Sequence, residues 1–166
     1  MPLHEMVHTV DYRLEDMYNL IIDIERYPEF LPWISAARII DESDDMLVAD
    51  LIISFKIFSE HYRSRVELSP PKNGKAEINV SLISGPFSHL TNQWHLKRLK
   101  ENKTRISFVV DFKLKSALLD SMIGVLFSKA CQKMVTAFEN RAKELYRPGK
   151  DEPRSPKRNR NRTKNA

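Results

Sequence analysis

Cysteine is almost absent from this sequence, because Cys131 is the single cysteine among 166 residues. One cysteine excludes an intramolecular disulfide and any metal cluster built from cysteine ligands. The lack of disulfides fits a reducing compartment. Cys131 lies in an apolar stretch, which predicts a core position for its side chain.

Long uninterrupted apolar runs are also missing. The most apolar segment, ALLDSMIGVLFSKAC, contains Asp120 and Lys129, and it is too short to span a bilayer. The first residues, MPLHEMVHTVDY, show neither the apolar core of a secretory signal nor the Arg and Ser bias of a transit peptide. We therefore expect a protein that is at most peripheral to a membrane.

Recognisable catalytic signatures are absent as well. The sequence has no nucleophile elbow, P-loop or dinucleotide fingerprint. Among the five histidines, His4 and His8 would share one face of a strand, but no third ligand is evident. We therefore predict no metal site and no catalytic residue.

Positive charge is concentrated at the C-terminal end of the chain. Residues 147–166 hold 8 Lys/Arg and 2 Asp/Glu, whereas the rest of the chain has 19 basic and 20 acidic residues. This composition predicts a folded domain over residues 1–147 and a disordered basic tail over residues 148–166. The tail could bind anionic lipid, bind ribosomal RNA or only aid solubility, and we favour lipid or no specific role over RNA.

Hydrophobic periodicity predicts two helices separated by a set of strands. Apolar residues at helical spacing predict a helix over residues 14–25 that ends near Arg26, because Tyr27 and Leu31 each precede a proline. Alternation predicts antiparallel strands over residues 47–58, 61–68, 75–83, 90–99 and 105–114, after a first strand over residues 4–12. From Ser116 to about Tyr146 the period returns to 3.6, which predicts a long helix.

A twisted antiparallel sheet with a long helix laid across it is an α+β arrangement. The inward faces of the strands carry large apolar side chains, so a gap between sheet and helix would be an apolar site for a lipid or small molecule. A solid core would produce the same alternation. Two features favour a cavity: the first half of the last helix is apolar nearly all round, and YPEFLPW (27–33) adds surplus apolar surface.

Four segments together resemble the coenzyme Q-binding protein family. They are ERYPEFLPW (25–33), VADLIISFKIFSEHYRSRV (48–66), SGPFSHLTNQWHL (84–96) and DSMIGVLFSKACQKMVTAFENRAKELY (120–146). That family includes bacterial ribosome-association toxins and belongs to the START-like, helix-grip superfamily related to polyketide cyclases. The resemblance covers about residues 1–147. It implies a seven-stranded antiparallel sheet wrapped around a long C-terminal helix, with two short helices after the first strand.

The resemblance also implies a non-enzymatic protein that binds ubiquinone or a polyprenyl quinone precursor in a hydrophobic tunnel, in support of respiration and quinone biosynthesis. The quinone is then a ligand, and no catalytic cofactor is implied. Together with the inward faces of the strands, the resemblance predicts the following tunnel residues: Trp33, Leu51, Ile53, Phe55, Tyr62, Val66, Val80, Leu82, Phe87, Asn92, Trp94, Phe108, Val110, Phe112, Leu119, Ile123 and Phe127.

The expected partners are a polyprenyl quinone, a membrane surface, and proteins of quinone biosynthesis or respiration. The expected location is the cytoplasm of a bacterium, peripheral to the inner membrane. A membrane lip is predicted near the tunnel, formed by Phe30, Leu31, Trp33, Pro86, Phe87, Leu118 and Met122. The alternative for Phe30, Leu31 and Trp33 is that they plug the end of the core.

Asn92 is the inward polar residue of interest, and it could hydrogen-bond a quinone carbonyl, a neighbouring side chain or water. Two other functions remain open. One is a ribosome-associating, toxin-like factor that binds the large subunit and blocks subunit association, with the tail contributing. An enzyme of the polyketide cyclase type is least favoured, because no acid/base pair faces the predicted cavity.

Overall fold

The computed structural model describes residues 3–55 and 58–146, without the side chains of residues 3, 55, 58, 123–128 and 131. The predictions made for the side chains of Phe55, Ile123, Phe127 and Cys131, and for the tail over residues 148–166, lie outside the described residues.

Seven antiparallel strands form one sheet, which confirms the predicted strand number and fold class. The strands are β1 (Leu3–Val10), β2 (Ile34–Ser43), β3 (Met46–Phe55), β4 (Phe58–Lys72), β5 (Lys75–Ser84), β6 (Phe87–Lys100) and β7 (Lys103–Leu114). Their order across the sheet is β1-β7-β6-β5-β4-β3-β2. Strands β2 to β7 are therefore a meander of hairpins, and β1 pairs with the last strand of that meander.

The hairpin between β4 and β5 shows how local sequence sets the register. Asn73 and Gly74 have φ angles of 55° and 76°. Asn and Gly adopt this left-handed conformation readily, and a two-residue turn of this kind matches the twist of the flanking strands. The turn therefore places Lys72 directly opposite Lys75.

Two α-helices and a 3₁₀ helix cover the inner face of the sheet. They are α1 (Leu14–Ile22), the 3₁₀ helix (Ile24–Glu29) and α2 (Ala117–Leu145). The hydroxyl of Ser116 caps α2 by accepting the Leu119 N–H at 3.2 Å. The carboxylate of Asp120 accepts the Leu114 N–H at 2.9 Å, which ties the start of α2 to the end of β7.

The first helix is shorter than the sequence predicts. It ends at Ile22 rather than near Arg26, and the chain continues as the 3₁₀ helix, which contains Pro28. The Tyr27 hydroxyl donates a hydrogen bond to the Ile21 carbonyl. This bond folds the aromatic stretch back onto the end of α1 instead of letting the helix run on.

Alternation located the inner face correctly on β3 to β7. For example, Ala49, Val66, Ile78 and Phe108 are all buried. Strand β2 was not located by its pattern, because it lies at the sheet edge and has two register shifts against β3. Its buried and exposed positions consequently follow no period of two.

Candidate functional site

An apolar cavity of about 240 Å³ lies between the inner face of the sheet and the helices. Strands β2 to β7 supply its wall, α1 and the 3₁₀ helix cover one side, and α2 covers another. The wall consists almost entirely of aliphatic and aromatic side chains. A cavity with this lining can hold a hydrophobic ligand.

Three polar side chains on the sheet face this cavity. Tyr62 and Ser64 lie two residues apart on β4, and Asn92 lies on β6. No hydrogen-bond partner for the Tyr62 or Ser64 hydroxyl is found among the described residues. Both hydroxyls are therefore available to a bound molecule.

The amide of Asn92 is partly used by its neighbours. Its Nδ2 donates to the Val109 carbonyl at 3.0 Å, and its Oδ1 accepts from Trp94 Nε1 at 3.1 Å. A primary amide has two N–H donors and two acceptor lone pairs, so one of each remains. The sequence left three partners open for Asn92. The hydrogen bond to a neighbouring side chain is present, with Trp94, and a bond from the remaining N–H to a ligand stays a prediction.

Burial shifts the pKa of both tyrosines on the cavity wall. Desolvation raises the pKa of Tyr62 to about 12. Desolvation also raises the pKa of Tyr27. Both phenols are therefore protonated at neutral pH, and Tyr62 can act as a hydrogen-bond donor.

Phe138 of α2 is the centre of an aromatic cluster at one side of the cavity. Its ring centroid lies 5.5 Å from that of Tyr27, 5.2 Å from Phe30 and 5.4 Å from Trp94, all in edge-to-face geometry. Aromatic pairs of this kind add to the burial energy of the rings. The cluster fixes the 3₁₀ helix against α2.

An ion pair closes over this cluster. Arg141 contacts Glu29 at 2.5 Å and lies over the Phe30 ring at 5.2 Å from its centroid. The Arg141 side chain is only 14% exposed. The arginine thus covers Phe30 and holds the 3₁₀ helix in place.

A second group of rings lies at the β5–β6 hairpin. Phe87 makes edge-to-face contacts with Tyr62 at 5.5 Å and with Phe112 at 5.9 Å. Gly85 allows this arrangement, because a Cβ there would lie 2.5 Å from the Tyr62 Cβ. Its φ of +150° is also a conformation that favours glycine.

Most of the predicted tunnel residues line the cavity. Those that do are Trp33, Leu51, Ile53, Tyr62, Val66, Val80, Phe87, Asn92, Trp94, Phe108, Val110 and Phe112. Leu82 and Leu119 are half-buried and pack against the core, but they are not among the described residues that line the cavity. That any of these residues contacts a ligand stays a prediction.

The predicted membrane lip is wrong for two of its residues. Leu31 is 2% exposed and Phe87 is 7% exposed, and both side chains point into the core. Phe30 and Trp33 are half-buried and pack against the core as well, as the plug alternative stated. Leu118 and Met122 are 70% and 46% exposed, so they remain available for surface contacts, and Pro86 is half-buried.

Sequence reasoning missed several lining residues. Leu31 was predicted only as part of the lip or the plug, and others were not among the predicted tunnel residues: Ile21, Ile24, Tyr27, Ile34, Ser64, Ile78, Leu90, Leu114, Ala130, Met134 and Phe138. The alternation of apolar and polar residues already placed Ile78, Leu90 and Leu114 on the inner faces of their strands, so these three could have been predicted. For Tyr27 no signal was available, because its position depends on how the 3₁₀ helix folds back.

In residues 3–55 and 58–146, no helix is long and apolar enough to cross a membrane. In the same part of the chain, no three metal-ligating side chains of His, Cys, Asp or Glu come together. His8 instead lies 2.9 Å from Glu139 of α2.

Comparisons with known proteins give the family. Residues 10–139 match the family described as "Polyketide cyclase / dehydrase and lipid transport". The ribosome association toxin RatA of Rickettsia prowazekii (strain Madrid E) is 40% identical over 136 residues, which cover 82% of this chain and 92% of that protein. The mitochondrial coenzyme Q-binding protein COQ10 of Drosophila melanogaster is 32% identical over 132 residues, which cover 78% of this chain and 53% of that protein.

Solved structures agree on the fold. The ZhuI aromatase/cyclase from Streptomyces sp. R1128 aligns with a TM-score of 0.77 at 17% identity, over 88% of this chain and 96% of that one. A START superfamily protein from Mycobacterium smegmatis aligns with a TM-score of 0.73 at 19% identity, over 86% of this chain and 98% of that one. The chain therefore belongs to the polyketide cyclase/dehydrase and lipid transport family, has the START-like fold, and is a relative of both the RatA and the COQ10 proteins.

Proposed function

We propose that this protein binds ubiquinone or a related polyprenyl quinone, or a precursor of one, without chemically changing it. It would act as a lipid carrier or chaperone in support of respiration and quinone biosynthesis. The observation that carries this proposal is the apolar cavity with hydroxyl and amide groups on one wall. The coenzyme Q-binding name of the COQ10 relative supports the choice of ligand.

The polar groups of the cavity suit a quinone ring. A quinone offers two carbonyl acceptors and no donor, so its recognition requires donors from the protein. Tyr62, Ser64 and the remaining N–H of Asn92 are such donors. The rest of the wall is apolar, as a prenyl chain requires.

The size of the cavity limits how much of the ligand it encloses. A volume of about 240 Å³ lies slightly below the range of about 300–1,000 Å³ typical of small-molecule sites. We infer that it holds the quinone ring and the first part of the prenyl chain. A longer prenyl chain would have to widen the cavity or extend out of it.

The titratable groups around the cavity support binding without catalysis. Among the described lining residues, the groups that can ionise are the phenols of Tyr27 and Tyr62. Burial raises the pKa of both phenols, so neither provides a general base near pH 7. A cyclase-type reaction that needs a general base would find none ionised near pH 7 among these described lining residues.

Membrane contact is the remaining part of the carrier proposal. Leu118 and Met122 are the exposed apolar residues at the start of α2, and Lys115 N–H binds the Pro86 carbonyl at 2.8 Å, so the β5–β6 hairpin lies beside them. We propose this corner as the contact with the bacterial inner membrane or with quinone-using proteins. Leu118→Ser with Met122→Ser should lower binding to liposomes without lowering the melting temperature.

Quinone titration tests the ligand directly. Trp94 and Trp33 line the cavity, so a short-chain ubiquinone that enters should quench tryptophan fluorescence saturably. Ser64→Ala and Tyr62→Phe should each weaken binding about three- to tenfold, which corresponds to one lost hydrogen bond. Linear quenching without saturation, equal in all three proteins, would refute binding at this site.

A second candidate is a ribosome-associating factor that binds the large subunit and blocks subunit association. The 40% identical relative named ribosome association toxin RatA favours it. Co-sedimentation of the full-length protein with purified large subunits tests it. Inhibition of subunit joining at the same concentrations is the expected result, and a protein that stays in the supernatant contradicts it.

A further inference from the structure

The outer face of the sheet carries four cations in one line across four strands, here called the cationic row. Lys72 pairs in register with Lys75, Lys75 with Lys97, and Lys97 with Arg105. All four side chains are exposed. The neighbouring positions on β5, β6 and β7 face the core, so the row lies on the opposite, outer surface.

This arrangement is unfavourable for the protein by itself. Like charges directly opposite each other on neighbouring strands destabilise a sheet. None of the four cations forms an ion pair with a described residue. Nearby acids are engaged elsewhere: Glu77 pairs with His95 at 3.3 Å, and Asp11 pairs with Lys103 at 3.0 Å. Uncompensated cations kept in register indicate a ligand of opposite charge.

We propose that the cationic row binds the phosphate backbone of RNA. Adjacent strands lie about 4.8 Å apart, so the row extends over about 14 Å. A nucleic-acid strand has one phosphate about every 3.4 Å along the helix axis, so cations at this density can contact successive phosphates. The next outer-face positions along β5, β6 and β7 carry Glu77, His95 and Ser107, and Asn79 and Gln93 follow them. The Ser107 hydroxyl and the two amides are suited to phosphate and sugar contacts.

The position of the row favours RNA over an anionic membrane. Binding at a lipid surface combines cations with apolar side chains that insert beside them. Leu118 and Met122, two exposed apolar residues at the start of α2, lie together next to the β5–β6 hairpin. The exposed apolar residues beside the row are two separate side chains, Leu99 on β6 and Val7 on β1. The row lies at the other end of the sheet, beside the β4–β5 hairpin. A membrane contacted through α2 would therefore not reach it.

The inference deepens the second candidate function, on which it rests, and is independent of the cavity ligand. It assigns RNA contact to the folded domain, whereas the sequence offered RNA binding only for the tail, where lipid or no specific role was favoured. The charge of residues 147–166 is the same in every protein compared below. Differences between those proteins therefore report the domain alone.

Salt dependence of RNA binding provides the test. The full-length wild type is compared with the triple variant Lys75→Gln, Lys97→Gln and Arg105→Gln, using anisotropy of a labelled 20-base-pair RNA duplex. Each lost phosphate contact lowers the slope of log K against log salt by about 0.9. Between 50 and 200 mM salt, wild-type affinity should therefore fall about 40-fold more than that of the variant.

A matched control removes the same charge from the same face. Arg38, Arg65 and Lys113 are exposed cations on the outer face, away from the row. Their triple replacement by Gln should keep the wild-type slope. Equal slopes in the row variant and the wild type would overturn the proposal, and so would an equal loss in the control.

A stability measurement separates binding from folding. Lys97→Glu places an anion between Lys75 and Arg105, which replaces two repulsive cross-strand pairs with two attractive ones. The melting temperature should rise by about 2 to 4 °C while RNA affinity falls at least tenfold. A lower melting temperature, or unchanged RNA affinity, would contradict the proposed role.

Three further outcomes assign failure to its source. If the row variant loses binding to vesicles with 30% anionic phospholipid but keeps wild-type RNA binding, the row is a lipid site and the proposal is overturned. If the row variant keeps both wild-type RNA binding and wild-type co-sedimentation with large subunits, the cationic row is not the RNA-binding surface, whereas the second candidate function stands. If the wild type binds the RNA duplex with the predicted slope but never sediments with subunits, the row holds and ribosome association fails.

Discussion

Replacing Val80 with phenylalanine should stabilise the fold and block ligand binding at the same time. Val80 lies on β5 between Val66 and Asn92, and it faces the cavity. The substitution adds four carbon atoms, which are worth at most about 3 kcal/mol at about 0.8 kcal/mol per buried carbon. Strain from the added bulk costs about 1–3 kcal/mol in a filled core, and less where 240 Å³ is free.

The expected net gain is therefore about 1 kcal/mol, or a rise of about 2–4 °C in melting temperature. Quinone affinity should fall at least tenfold, because the new ring occupies the space of the ligand. Val109→Phe is the matched control, since Val109 lies on β7 with its side chain on the outer face. It should leave quinone affinity unchanged.

Two results would refute this reasoning. A loss of more than about 1 kcal/mol in Val80→Phe, with Val109→Phe near neutral, would mean that the interior has no free space. A stable Val80→Phe protein that binds quinone with wild-type affinity would mean that the ligand lies elsewhere. Thermal denaturation and fluorescence titration of the same three samples distinguish these cases.

Three further predictions concern Tyr62 on the cavity wall and two residues that support the structure around it. Tyr62→Phe should remove part of the loss of stability that the wild type shows in alkali. The Tyr62 phenol ionises with a pKa near 10 in the unfolded chain but with a pKa of about 12 in the folded protein, so this contribution to stability is present below pH 10 and is lost as the pH rises. In urea titrations, the unfolding free energy of the wild type should therefore fall by about 1.4 kcal/mol more than that of the variant by pH 11. Gly85→Ala should lower stability by about 2 kcal/mol in thermal melts, because the alanine Cβ would lie 2.5 Å from the Tyr62 Cβ. A variant that melts at the wild-type temperature would show that the hairpin adjusts freely. Arg141→Met should cost about 1–2 kcal/mol, because it breaks the pair with Glu29 and uncovers Phe30, and no change in urea midpoint would show that the pair contributes nothing.

Local patterns predicted the sheet well because each strand faces two different environments. Residues such as Val66, Trp94 and Phe108 alternate with solvent-facing neighbours, and that period can be read without knowing the partner strand. Strand β2 has no such contrast, since it lies at the sheet edge and is displaced by register shifts. Its residues consequently carry little periodic signal.

The site was harder to predict because its contacts join distant parts of the chain. The sequence left Phe30 open as part of a membrane lip or as a core plug, and it meets Phe138 of α2 at 5.2 Å, where Arg141 covers it. Leu31 is buried because its N–H bonds to the Tyr27 carbonyl at 2.8 Å and turns the chain inward. Surplus apolar residues in a short stretch show that a surface must be covered, but they do not identify what covers it.

The cationic row shows a similar limit. Lys75, Lys97 and Arg105 are separated in sequence by strands of mixed composition. Only the register of β5, β6 and β7 brings them into one line. The charge balance of the chain instead identified residues 147–166 as its basic segment.

The central claim is that the interior holds a prenylated quinone, and the contents of the purified protein test it most directly. The full-length protein, Val80→Phe and Val109→Phe are purified from cells, extracted with organic solvent and analysed by mass spectrometry. The account predicts polyprenyl quinone or a prenylated precursor in the wild type and in Val109→Phe, and little or none in Val80→Phe. A wild-type protein free of prenylated quinones, or equal amounts in all three proteins, would contradict it.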